Sequence, residues 1–281
     1  TFSSPTPVSS RLRRECNAFI SYRWKWLICL LFGVFAPLVW LGASPLLLWC
    51  ALNMCGYTYV SGATLERRDL LSSRHLADGY RQFTKLMLAT VPLFVLAPYW
   101  TLLDPRKPGP VILLDGVFGQ VYANADATFA NYLCYTYLGY VIPFFVGLHF
   151  TYLDFVPFLQ RLGLTAEALR RLSAAHWVLI SVLLGLLLII AAYHLQLLFA
   201  ADLLWWYLGA VLLSAALLVG YHVYQRRRPG GRSFHLHHSQ LVVAIALLTP
   251  FQNLISATVQ AVLFGVYVEG VARWGMSSCW Q

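Results

Sequence analysis

Long apolar runs alternate with short polar ones, and the run lengths give the first architecture. Trp26 to Leu65 carries no charged residue, and it is about twice as long as the roughly 20 residues that one straight bilayer crossing needs. Gly42-Ala43-Ser44-Pro45 interrupts it near the middle, which predicts a helical hairpin over about 26–41 and 45–62, with Pro37 kinking the first arm. A charged connector, Glu66 to Lys85, precedes a third apolar segment at about 86–103. The loop opened by Asp104-Pro105-Arg106-Lys107-Pro108-Gly109-Pro110 runs to about Thr128, and its apolar patch Val111 to Leu114 reads as lying on a membrane surface. Further segments fall at about 129–153, 176–199, 203–225, 236–249 and 252–272, with Pro250 at the last turn. The fold class is therefore all-α: a polytopic integral membrane helical bundle of about eight segments opened by a hairpin. Residues 1–25 form a basic Ser/Thr/Pro-rich tail, 26–275 the transmembrane domain and 276–281 a C-terminal tail.

Charge placement supports this division. With the hairpin, every Lys and Arg except Arg106 and Lys107 falls on one side of the membrane, as the positive-inside rule requires. Treating 26–50 as a single crossing spreads the charges far more evenly, so both chain ends are expected on the inner side. Of 281 residues, 59% are hydrophobic and only 11% charged, against about 25% charged in soluble domains. The formal net charge of +9 would suggest nucleic acid in a soluble protein. Here the basic residues sit in short loops beside apolar runs, so anionic headgroups explain them and nucleic acid is excluded as a partner. Arg226, Arg227, Arg228 and Arg232 form the expected headgroup-binding loop. Thr1 to Arg14, rich in Ser, Thr and Pro with three arginines and no acid, reads as the remnant of an organelle-targeting segment. That expectation points to a mitochondrial inner membrane or a plastid.

The eight-segment layout then brings chemistry together. His149, His176, His222, His235, His237 and His238 all fall near the inner face, as does Glu269, whereas His194 falls toward the outer one. Neutral imidazole is the commonest ligand for transition metals. His235, His238, His237, His222 and Glu269 are therefore the candidate metal ligands, and His149 with His222 the candidate axial pair for a haem. The competing reading is interfacial, with histidines bonded to backbone, lipid phosphate or one another. Arg273 lies four residues beyond Glu269, at the spacing of a helical ion pair. Tyr132, Tyr135, Tyr137 and Tyr140, with Asn131 and Asp126, mark either a polar pocket or, more simply, an aromatic belt. Gly139 and Gly147, like Gly265 and Gly270, permit close helix approach. The six cysteines show neither CxxC nor metal-ligand spacing and read as small buried apolar residues. No phosphate loop, nucleophile elbow or paired-carboxylate motif occurs.

His235-Leu236-His237-His238, followed by Gln260 to Gly275 with its Ala272-Arg273-Trp274-Gly275 ending, resembles the membrane portion of the fungal-type multi-span LCCL-domain proteins. Leu153 to Pro157 and Arg161 to Thr165 carry a weaker likeness in the same order. The Cys-rich LCCL module itself has no counterpart, and Ser239 stands where those proteins usually carry an aromatic residue. The resemblance implies a shared membrane fold and names no reaction. The leading functional expectation is a non-catalytic scaffold or accessory subunit that contacts lipid and other membrane-protein subunits. The alternatives are a metal- or haem-dependent enzyme acting on a lipid or quinone, and a transporter.

Overall fold

The computed structural model describes residues 24–64, 73–102, 112–114, 121–122, 132–150, 172–226 and 238–276. Nine helices and one small two-stranded ribbon occur among these residues. Helix α1 spans Trp24–Trp40 and α2 Pro45–Thr64. The turn between them follows from four residues. Gly42 takes a left-handed φ of 67°, which costs glycine nothing. The Ala43 amide then donates to the Leu38 carbonyl and the Gly42 amide to Val39, closing the end of α1 in a Schellman motif. Ser44 caps α2, its hydroxyl accepting from the Leu47 amide at 3.4 Å, and Pro45 takes the first helical position, where a missing N–H is harmless.

Helix α3, Ser73–Leu96, begins well inside the expected charged connector. Residues 73–85 alternate polar and apolar positions at helical spacing, so they continue the helix past the point where charge suggested a loop. A break at Ala97 separates α3 from the short α4, Pro98–Thr101. Strands β1 (Ile112–Leu114) and β2 (Val121–Tyr122) pair antiparallel, so part of the patch expected on the membrane surface is strand.

Helix α5 covers 132–147, and it shares an unusual feature with α1. Each contains a π-helical stretch, Cys29–Phe35 in α1 and Cys134–Val141 in α5. Each stretch is followed two residues later by proline, Pro37 or Pro143, and each proline stands four residues after a glycine, Gly33 or Gly139. A proline ring crowds the carbonyl four residues back and offers that carbonyl no N–H. Widening the preceding turn to i→i+5 bonds relieves the crowding, as in the bonds from Ala36 to Leu31 and from Ile142 to Tyr137. The orphaned Gly139 carbonyl accepts instead from the Thr258 hydroxyl at 3.1 Å. Pro37 was expected only to kink α1; its larger effect is this change of helix type.

Helices α6 (Ala174–Ala200), α7 (Leu204–Arg226), α8 (His238–Ala246) and α9 (Leu254–Trp274) complete the fold. Asp202, at a left-handed φ of 55°, turns α6 into α7. Among the described residues, three helices are long and apolar enough to cross a membrane: α6, α7 over Leu204–Tyr221, and α9. Helices α1 and α5 are apolar but shorter.

Helix α9 is the axis of the core. Helices α2, α3, α5 and α8 all pack against it. Its closest neighbour is α5: a Cβ on Gly265 would overlap the Phe144 carbonyl and stand 2.9 Å from the Gly147 Cα. The two backbones touch, as the glycines in both runs led one to expect. Trp49 of α2 stacks edge-on against Phe264, with ring centroids 4.7 Å apart, and donates its indole N–H to the Thr90 carbonyl at 2.8 Å.

Candidate functional site

The polar residues of α9 organise the site. Asn253, Ser256 and Gln260 lie three and four residues apart at the start of the helix, on one face, and all three are buried. Asn253 caps the helix, its Oδ1 accepting from the Ser256 amide at 2.8 Å. Gln260 Nε2 donates to Thr101 Oγ1 at 2.9 Å and to the Thr249 carbonyl at 3.1 Å. Its Oε1 accepts from the Tyr140 hydroxyl at 3.2 Å. Tyr135 donates to the Thr101 carbonyl at 2.7 Å and lies 3.4 Å from the Asn253 carbonyl.

These contacts answer a specific need. Thr101 ends α4, and residues 247–253 connect α8 to α9 outside regular helix, so helix ends in both places leave backbone carbonyls in need of partners. Inside a bilayer such groups must be satisfied by protein. Gln260, Tyr135 and Thr101 do so, with Tyr140 holding the Gln260 amide oxygen, and they seal two interrupted helices against α9. The tyrosines expected to form an aromatic belt therefore divide. Tyr135 and Tyr140 are buried in this seam, and Tyr137 donates to the Leu31 carbonyl of α1 at 3.0 Å. The belt reading is corrected for these three.

At the other end of α9, Glu269 is 1% exposed and receives the Arg273 Nε at 2.9 Å. The i,i+4 ion pair expected from the sequence is present. His149 is likewise engaged: its Nδ1 donates to the Phe145 carbonyl at 2.7 Å, which leaves Nε2, 2.9 Å away, to accept from the Tyr59 hydroxyl. The same pattern holds His194, with Nδ1 on the Ile190 carbonyl and Nε2 accepting from Ser256. His176 Nδ1 lies 2.6 Å from the Ser173 hydroxyl.

Of the candidate metal ligands, only Glu269 has a described side chain. His222 sits on α7 and His238 opens α8, but their side chains lie outside the described residues, as do His235 and His237 altogether. Arg226 ends α7, and Arg227, Arg228 and Arg232 also lie outside. Among the described residues, no three His, Cys, Asp or Glu side chains gather as a metal-holding group. Cys29, Cys50, Cys55 and Cys134 are free thiols; Cys29 and Cys134 are exposed rather than buried as expected. Among the described residues, the buried Asn53 Oδ1 and Thr136 Oγ1 have no hydrogen-bond partner.

The seam was not picked out from the sequence, although the signal was there. Asn253, Ser256 and Gln260 form the only polar stripe at helical spacing in the first half of the last apolar run. A polar stripe within an apolar run announces a partner across a helix interface. The described residues form a helical fold with three helices long and apolar enough to cross a membrane. No protein-family model, curated protein or solved structure matches the chain.

Proposed function

We propose that the chain is a polytopic membrane protein of about eight segments with both ends on the inner face, acting as a non-catalytic scaffold or accessory subunit of a membrane-protein complex and contacting anionic lipid. The observation that carries this reading is the contrast between engaged chemistry and open apolar surface. His149, His194, Gln260 and Glu269 each hold a partner within the fold. By contrast, Leu187 of α6 and Leu212 of α7 are 62% and 68% exposed, and the α6–α7 hairpin offers two helices of apolar surface. Exposed aromatics support the layout: Trp177, Tyr224 and Trp274 stand at expected inner helix ends, and Trp40, Trp100 and Trp205 at outer ones, as interfacial belts do. The resemblance to the multi-span LCCL-domain proteins belongs to the same proposal.

Photo-crosslinking in native membranes tests it, with a reactive leucine analogue at Leu187 or Leu212. The expected product is a discrete protein adduct that co-purifies in mild detergent. Adducts to lipid alone, with a monodisperse monomer, would overturn the scaffold reading. A transporter is the second reading, favoured by the two interrupted helices meeting at Gln260, since substrate and ion sites in transporters form where helices break. Solute flux in liposomes that disappears in Gln260→Ala supports it over the first.

A further inference from the structure

Helices α1 and α5 carry the same notch, and only one of the two is filled. In α5, Gly139 and Pro143 are both buried. Pro143 has no N–H to offer the Gly139 carbonyl, and the Thr258 hydroxyl of α9 donates to it at 3.1 Å. One turn earlier on α9, Leu254 covers the glycine so closely that a Cβ on Gly139 would stand 2.5 Å from its Cδ1. The two helices run in the same direction, because Tyr135 lies against Asn253 and Gly147 against Gly265. In α1, Gly33 and Pro37 repeat this spacing at the end of a second π-helical stretch. Both are exposed, and a Cβ on Gly33 would meet nothing within 4 Å among the described residues. The core lies on another side of α1, where Phe35 and Val39 are buried and the Leu31 carbonyl receives Tyr137. Glycine and proline are the poorest helix formers. In apolar spans they are tolerated where a neighbouring helix satisfies the backbone groups they free.

We propose that the α1 notch at Gly33 and Pro37 receives a transmembrane helix of another protein, one that runs in the same direction as α1 and carries a branched aliphatic residue followed four positions later by Ser or Thr. Leu254 and Thr258 of α9 are the pattern for that pair. The aliphatic branch fills the space that glycine leaves beside its Cα, and the hydroxyl supplies the donor that proline withholds. Phe32 and Trp40, 66% and 63% exposed, flank the notch with apolar surface. Lipid chains would cover that rim equally well, but they carry no donor. Gly33 lies about midway along α1, at a depth where water does not replace one. The α9 helix of a second copy does not serve either, because its Leu254 and Thr258 are already committed to α5. This inference rests on the scaffold reading and names the kind of partner and the place where it docks.

The test puts a photo-reactive leucine analogue at position 32, beside the notch, in the full chain in native membranes, and sequences the crosslinked peptide. The expected product is an adduct to an apolar helix of another protein that contains the aliphatic and hydroxyl pair at four-residue spacing. Gly33→Leu fills the notch and should lower the yield of that adduct at least fivefold. Gly185→Leu on α6, at an equally open position, should leave it unchanged. A thermal melt like that of the unsubstituted protein establishes that each variant is folded. Adducts to lipid alone, to a second copy or to a segment without the pair would overturn the proposal, as would a yield that Gly33→Leu does not lower. Protein adducts that persist at Leu187 or Leu212 in those cases leave the scaffold reading standing, whereas lipid adducts at all three positions end both.

Discussion

Helices α9 and α6 are both long and apolar enough to cross a membrane, yet one is the axis of the molecule and the other stands at its edge. Of the hydropathic window that marks each as a span, 67% is buried in α9 and 6% in α6. Apolarity does not separate them, because lipid tails solvate leucine as well as another helix does. What separates them is small and polar residues. Helix α9 has Gly265 against Gly147, Gln260 in the seam and Glu269 on Arg273. Helix α6 offers mainly Leu, Ile, Val and Ala, and its buried described residues are His176, His194, Leu197 and Leu198. In a bilayer, close backbone approach and buried hydrogen bonds assemble the core, while aliphatic surface is left facing outward.

One substitution made in both regions tests this most directly. Gly265→Leu must push α5 away from α9, because even a Cβ there overlaps the Phe144 carbonyl. The expected cost is on the order of 3 kcal/mol, read as a large fall in melting temperature or a failure to accumulate. Gly185→Leu on α6 or Gly209→Leu on α7 meets nothing within 4 Å and should leave the melt unchanged. Equal effects would refute the distinction. Gln260→Ala comes next in size. It strips the Thr249 carbonyl and Tyr140 of a partner, and a loss of about 1–3 kcal/mol is expected for buried groups left unpaired.

The smallest effect belongs to the join between the regions. Ser256→Ala removes the bond to His194, and membrane hydrogen bonds average about 0.6 kcal/mol. The core melt should barely move, while proteolysis at the α6–α7 turn around Asp202 speeds up. Unaltered cleavage would mean that Leu197 and Leu198 alone dock the hairpin.

The limits of four helices were legible because they rest on strong local signals. Gly42 to Pro45 announced a stop and a restart, and the observed helices α1, α2, α6 and α7 begin and end within two residues of the expected limits. The start of α3 was not legible, because charge at 73–85 marks an inner surface equally well on a loop or on a helix. Helix type in α1 and α5 was missed for another reason: a proline signals disruption, and only its distance from Gly33 or Gly139 says how the disruption is relieved. The site was half legible. Glu269 and Arg273 declared their pairing through spacing alone. Gln260 did not, because its partners Thr101 and Tyr140 come from remote segments that no local pattern links to it.

The axial position of α9 also sets a timetable. Membrane helices are made and inserted from the N-terminus, so the element on which the bundle closes is synthesised after the helices that pack against it. Until Gly265 and Gln260 arrive, Gly147 faces no partner and the carbonyls of Thr101 and Thr249 lack their glutamine. The α6–α7 hairpin, which asks for almost nothing from its neighbours, can enter the bilayer and wait. The newborn protein therefore spends its assembly with an unfilled centre, and a ribosome stalled before residue 254 would leave a chain that is inserted but not folded.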